Sequence, residues 1–246
     1  MASFTVEEVS TREQLDGIAD CIWAVMDSDS VHKVFYPVLY DRETALRECK
    51  EHLWAAHVDS AVSQWIFVRD PAVKPLRVLG ACQWRIYEQN PFSNGMPDVT
   101  ATWWPKGEER DFATEFVRQC IAPRVKWMAR PHSELSWCVV LPDHQRQGIG
   151  QTLMSWGLER TDGLGIESYI EATPAGRKLY ERTGFRFVAR VDINTEKYES
   201  GDGWKTLQSG ILPFGYDAMW RAVHGVWKDG EPQRTWAERL GAEEGS

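Results

Sequence analysis

The run from Leu135 to Val188 constrains the fold more than any other part of the chain. It opens on a continuous apolar stretch, Leu135 to Pro142, which reads as a strand over 133–141 buried on both faces. Gln145-x-x-Gly148-x-Gly150 follows and leads into a helix over 148–160, with Ile149, Leu153, Trp156 and Arg160 along one side. A short strand over 168–172, a helix over 174–182 and a strand over 185–193 complete the run. Glycines let the backbone turn sharply and approach a ligand closely. The amides at a helix start point outward, and the helix dipole favours an anion there. A diphosphate fits such a nest without many basic side chains, with Arg146 adding charge at the rim. A plain strand-to-helix turn with two glycines is the bland alternative. A dinucleotide-binding turn is another, but it needs a third glycine where this chain has Leu153. Glu171 stands near the distance at which that motif expects an acidic residue, so distance does not exclude it.

The remaining pattern is mixed α/β. A first strand is predicted over 4–9 and a helix over 11–26, carrying Leu15, Ile18, Ile22 and Val25 at helical spacing. Asp27-Ser28-Asp29-Ser30 breaks that helix. The aromatic segment 32–40, with Pro37, reads as a loop over a pocket. A second helix over 41–57 has Asp41 as its N-cap. Strands over 63–69 and 75–87 form a hairpin turned at Asp70 and Pro71. The Pro-, Asn-, Gly- and Trp-rich segment 89–106 suggests a lid-like loop. A helix over 108–128 is expected to run to Pro123 and to resume after it. Residues 196–210 read as a polar loop, 216–223 as a last edge strand, and 224–246 as a charged tail behind a domain over 1–223.

Charge and cysteine usage narrow the function. A net charge of -8 argues against nonspecific binding to nucleic acid or an anionic membrane. The five cysteines are scattered and lack metal spacing, which fits reduced thiols in a cytoplasmic protein. The six histidines have no His-x-x-x-His spacing, so no metal site is expected. Residues 1–8 lack the pattern of a signal peptide, and no apolar run is long enough to span a membrane.

The motif segment resembles the GCN5-related N-acetyltransferase superfamily. Gln145 to Gly150 matches the Gln/Arg-x-x-Gly-x-Gly/Ala of its motif A, and Val140-x-Pro142 matches the strand before it. Leu179-Tyr180 with Gly184-Phe185 matches the end of motif B. The longer pattern Trp156-Gly157, Gly165, Glu171-Ala172, Gly176, Tyr180 and Gly184-Phe185 is similar to a group of fungal-type acetyltransferases. The resemblance covers roughly 4–223 and is specific from 135 to 188. It implies a mixed, mostly antiparallel sheet flanked by helices and splayed at the cofactor-binding strand, with acetyl-CoA as acyl donor.

Carried onto this chain, the resemblance implies that pantetheine pairs with the backbone of Cys138, Val139 and Val140. An amide there would stabilise the oxyanion. The pyrophosphate would sit on Gln145, Arg146, Gln147, Gly148, Ile149, Gly150 and Gln151. Tyr180 matches the general acid that protonates the departing thiolate. Thr173 stands where many members have an asparagine that holds the pantetheine arm, and its hydroxyl can still donate. Glu171 ranks first as general base, ahead of Glu88, Glu134 and a water chain. Cys138 lacks any feature that would activate a thiolate, so direct transfer in a ternary complex is preferred.

Tyr36, Trp84, Tyr87, Glu88 and Trp104 are the candidates for the acceptor side, with aromatics able to stack on a small molecule or hold a cationic amine. The expected acceptor is a primary amine of a small molecule. A peptide or protein amine, a hydroxyl acceptor and a sensor without turnover remain alternatives. No nucleic-acid or membrane partner is expected, and a homodimer is left open.

Overall fold

A computed structural model describes residues 4–26, 29–39, 41–196 and 200–228. The break at Asp27 and Ser28, the aromatic Tyr40 and most of the expected tail, 229–246, lie outside the described residues. The chain forms two compact units, one from residues 1–86 and 134–160, the other from 87–133 and 161–246.

The first unit holds β1 (Thr5–Glu8), α1 (Arg12–Met26), α2 (His32–Phe35), α3 (Arg42–Val58), β2 (Ser63–Arg69) and β3 (Val78–Tyr87, to Ile86). It also takes most of β4 and the start of α5, defined below. Its strands follow the order β1-β2-β3-β4, with β1 antiparallel to β2 and β2 antiparallel to β3. The helical stripe of α1 is buried as its spacing implies: Leu15, Ile18 and Ile22 are fully enclosed. Asp41 adopts an extended conformation and accepts from the Thr44 amide at 2.8 Å, so α3 starts where its cap predicts. These helices cover one face of the sheet, where Trp65, Phe67, Ala81 and Val139 join them in one core.

Two expectations need correction here. Residues 32–35 form a short helix rather than a loop, with His32 and Val34 buried. The β2–β3 connection is longer than a turn at Asp70 and Pro71, because β3 begins only at Val78.

The second unit holds α4 (Glu108–Trp127), the first residues of β4 (His132–Val140), the end of α5 (Ile149–Leu164), β5 (Glu167–Ala172), α6 (Arg177–Arg182), β6 (Arg186–Asp192), α7 (Asp202–Ile211) and β7 (Gly215–Arg221). Its strands follow the order β4-β5-β7-β6, and β7 is antiparallel to both β5 and β6. β7 is therefore an inner strand, not the edge strand expected, and all seven of its residues are buried. The edge is β6, whose burial is broken throughout.

Helix α4 runs unbroken through Pro123. Proline removes one intrahelical bond, but Phe112, Phe116, Arg124 and Trp127 on both sides of it are buried and hold the helix together. Helix α7 replaces the expected polar loop. Gly201 offers it no side-chain cap; the Glu108 carboxylate accepts from the amides of Gly203 at 3.0 Å and Trp204 at 3.4 Å instead. Trp204 then meets Phe112 edge-to-face at 5.2 Å. A cap supplied from 95 residues away carries no local signature.

Candidate active site

In the first unit, β4 runs into a single turn of 3-10 helix over Pro142–His144, then the glycine loop, then α5. The loop is tied back to the strand by its own side chains. The Gln145 amide donates to the Val140 carbonyl at 3.3 Å, and the Gln147 amide to the Asp143 carbonyl at 2.9 Å. Arg146 sits at φ 59° and Gly148 at φ 90°. Two residues at positive φ, one on each side of Gln147, fold the backbone into a concave run of amides. A Cβ at Gly148 would meet nothing within 4 Å, so the glycine is there for its dihedral and not for space.

The Thr152 amide bonds to the Gly148 carbonyl at 3.0 Å, so helical bonding starts there. The amides of the preceding first turn, at Ile149, Gly150 and Gln151, have no intrahelical acceptor. Gln145, Arg146, Gln147, Gly148 and Gln151 are exposed, Gly150 is partly so, and Ile149 is buried as the anchor. The arrangement can hold an anion of diphosphate size at the positive end of a sixteen-residue helix.

Two glycines outside the motif position this loop. A Cβ at Gly80 in β3 would lie 2.8 Å from Ile149 Cγ2 and 2.9 Å from the Val139 carbonyl oxygen. A Cβ at Gly157 would lie 2.0 Å from Trp84 Cε2. Gly80 lets Ile149 of α5 and the strand carrying Val139 and Val140 come close to β3, and Gly157 lets α5 lie close on Trp84 of β3. Gly80 was not singled out from the sequence, although a lone glycine inside a strand pattern signals close backbone approach.

The strand segment Cys138, Val139 and Val140 lies next to the loop, with Val139 buried and its neighbours partly so. Burial pushes the Cys138 thiol up to about 12, which keeps it protonated and inert. Trp84 is a correction to the acceptor set. Its side chain is fully buried under α5, and its indole donates to the Leu153 carbonyl at 3.4 Å. Strand alternation turns it away from the face on which Tyr36 packs. Tyr36 lies beside Trp137, ring centroids 6.1 Å apart. Burial first, then Cys49, holds its phenol well above the ordinary range, while Arg85 opposes the rise.

In the second unit, Glu171 near the end of β5 is bound by Arg124 of α4, with Nη2–Oε1 at 2.8 Å and Nε–Oε1 at 3.1 Å. Arg124 is itself buried, so this pair is largely withdrawn from water. The Tyr216 phenol donates to the Cys120 carbonyl at 2.8 Å, and burial, then the neighbouring Glu171 charge, hold it far above its ordinary range. Tyr180 is on α6 and 8% exposed. Its ring folds back over Gly176, where a Cβ would lie 2.5 Å from Cε2 and 2.7 Å from the hydroxyl. The Phe185 amide donates to the Tyr180 carbonyl at 3.0 Å, and the two rings meet at 6.3 Å. The motif B residues thus form one local assembly. Thr173 is exposed just past β5, and its carbonyl accepts from the Gly176 amide at 3.1 Å.

The other acceptor candidates of this unit lie apart in kind. Tyr87 packs on His132 at 5.1 Å, Glu88 is exposed, and Trp104 is buried with its carbonyl accepting from Arg110 Nε at 2.6 Å. Among the described residues no cluster of three metal-ligating side chains is found, and no helix is long and apolar enough to cross a membrane.

The strand, nest and helix together form an anion-binding arrangement. Residues 113–187 match the family model described as an acetyltransferase (GNAT) domain. Within that segment the chain is similar to the GCN5-related N-acetyltransferase superfamily. It is 30% identical over 84 residues to a protein of Ajellomyces capsulatus named "Probable acyltransferase SID5". That match covers 28% of this chain and 62% of the relative, so the chain spans less than two thirds of that protein. Among solved structures it is similar to a Corynebacterium glutamicum protein described as histone acetyltransferase HPA2 and related acetyltransferase. The identity there is 16% and the TM-score 0.54, over 92% of this chain and 99% of that one. A mosquito arylalkylamine N-acetyltransferase-like protein aligns at 11% identity and TM-score 0.57, over 89% of this chain and 99% of that one. These likenesses establish the fold: a mixed α/β architecture whose described strand pairs are antiparallel.

Proposed function

We propose that the protein transfers an acetyl group from acetyl-CoA to a primary amine of a small molecule, directly, within a ternary complex. The observation that carries this reading is the nest at 145–151, whose positive-φ residues and first-turn amides suit a pyrophosphate. In this reading the pantetheine arm lies along Cys138, Val139 and Val140, and an amide at Val139 or Val140 faces the thioester oxygen. The amine nitrogen, having given up a proton, attacks the carbonyl carbon. The C–S bond then breaks as the C–N bond is completed. The thiolate leaves and takes a proton from Tyr180, which is restored by the second proton the nitrogen sheds as the amide forms; the role of Tyr180 rests on the motif match. Thr173 as a contact to the pantetheine arm rests on the same match.

Glu171 stays in the reading as the group that draws the proton from the ammonium. Its Arg124 partner fixes the carboxylate in place. Tyr36, Tyr87 and Glu88 remain on the acceptor side, and the setting proposed is cytoplasmic.

The test is acetyl-CoA-dependent thiol release against polyamines, aminosugars, amino acids, arylamines and peptides. A saturable response to a small amine is expected. Tyr180→Phe lowers kcat roughly a hundredfold and leaves acetyl-CoA affinity within about twofold. Unchanged turnover in that variant removes Tyr180 as the acid. Acetyl-CoA binding without turnover on any acceptor favours a sensor, and response to peptides alone moves the acceptor to a polypeptide amine.

A further inference from the structure

We infer that the acceptor carries a carboxylate, held by Arg85, while its apolar part rests on the corner formed by Phe35, Tyr36 and Trp137. The inference rests on the transferase reading above and adds the substrate class to it.

Arg85 lies in β3 opposite Ser63 of β2. Strand alternation puts it on the same face as Ala81 and Gln83. That face carries Trp65, Phe67, Ala81 and Val139, with Tyr36 and Trp137 packed against them. Buried Gln83 is satisfied there, donating to Ser63 Oγ at 2.7 Å. Arg85, two residues further along, is only partly exposed, and among the described residues it has no carboxylate partner. Three other arginines of the chain hold carboxylates: Arg69 binds Glu7 at 2.6 Å, Arg124 binds Glu171, and Arg221 binds Asp162 at 2.7 Å. A half-enclosed guanidinium left without an anion is out of keeping in a chain of net charge -8.

The neighbouring surface has the form of a ligand corner. Phe35 meets Trp137 edge-to-face at 6.2 Å, and Tyr36 meets it at 6.1 Å. The field of Arg85 acts on the Tyr36 phenol, which places the two groups in one neighbourhood. Trp137 immediately precedes Cys138, Val139 and Val140, the segment assigned to the thioester. Trp137 and the segment assigned to the thioester are thus neighbours along β4. The planar guanidinium matches a carboxylate with two parallel hydrogen bonds. An amine without an anionic group leaves that cation unmatched and brings a second positive charge beside it.

The test compares thiol release for phenylalanine against phenethylamine and for lysine against cadaverine, in the unmodified protein, Arg85→Gln and Arg85→Lys. The acid of each pair is expected to be favoured in kcat/KM by roughly tenfold or more. Arg85→Gln collapses that ratio towards one by raising KM for the acid, and Arg85→Lys restores part of it. A ratio near one in the unmodified protein overturns the inference. So does an unchanged ratio in an Arg85→Gln variant that melts like its parent. Failure of every acceptor to elicit thiol release defeats the transferase reading instead. Calorimetric binding of phenylalanine and phenethylamine to the CoA-bound protein then decides: preference for the acid that depends on Arg85 supports the inference, and its absence overturns it.

Discussion

Gly148→Ala separates backbone shape from bulk in the candidate nest. Gly148 sits at φ 90°, and a Cβ there meets no atom within 4 Å. The substitution therefore adds no clash, and its whole cost is conformational. For an L-residue in the left-handed region that cost is about 2 kcal/mol. If the loop keeps its shape, the strain appears as lost stability, roughly 4–8 °C in melting temperature for a chain of this size. If the loop relaxes to negative φ, the amides turn away and acetyl-CoA affinity falls by about thirtyfold, since each 1.4 kcal/mol is a factor of ten. Titration calorimetry with acetyl-CoA and a thermal melt read the two routes side by side. Gly148→Asp keeps the same strain and adds like charge at the anion site, so its affinity is expected to fall further. A Gly148→Ala protein with both affinity and melting temperature unchanged would refute the claim that the nest depends on this dihedral.

Two further outcomes follow from the packing behind the loop. Gly157→Ala is expected to destabilise by about 3 kcal/mol, because its Cβ would lie 2.0 Å from the fully buried Trp84 ring. The double variant with Trp84→Phe should lose less than the sum of the two single changes, and strict additivity in chemical denaturation would argue against the contact. Cys138 should play no covalent part. Its thiol is raised to about 12, so only about one molecule in 10⁴ carries a thiolate at pH 8, and that fraction grows only as pH climbs towards 12. Iodoacetamide at pH 8 should leave turnover intact, and a burst of thiol release without acceptor would count against direct transfer.

Much of this architecture is written locally. The strand at 132–140 ends in the apolar run Trp137–Val140, the strand at 63–69 is centred on the apolar run Trp65–Val68, and α1 carries its buried stripe at helical spacing. Asp41 caps α3 through a bond three residues away. The Gln-x-x-Gly-x-Gly loop was legible for the same reason: positive φ and unpaired helix-start amides are properties of a few consecutive residues. Helix α7 was not legible, because its cap is Glu108 and its packing partner Phe112, both far off in sequence. Nor was the inner position of β7, since strand order depends on which partners a strand finds and not on its own composition.

By itself the sequence determined the nest, the strand that feeds it and the motif that carries Tyr180, because each is a short-range pattern of backbone freedom and apolar spacing. Only the tertiary structure decided what surrounds them. It bound Glu171 to Arg124 across 47 residues and sank Trp84 beneath Gly157. It made Gly80 the spacer between β3 and Ile149, and it left Arg85 with no carboxylate partner among the described residues. These are contacts between distant segments, and their energies depend on separations that close only when the core forms.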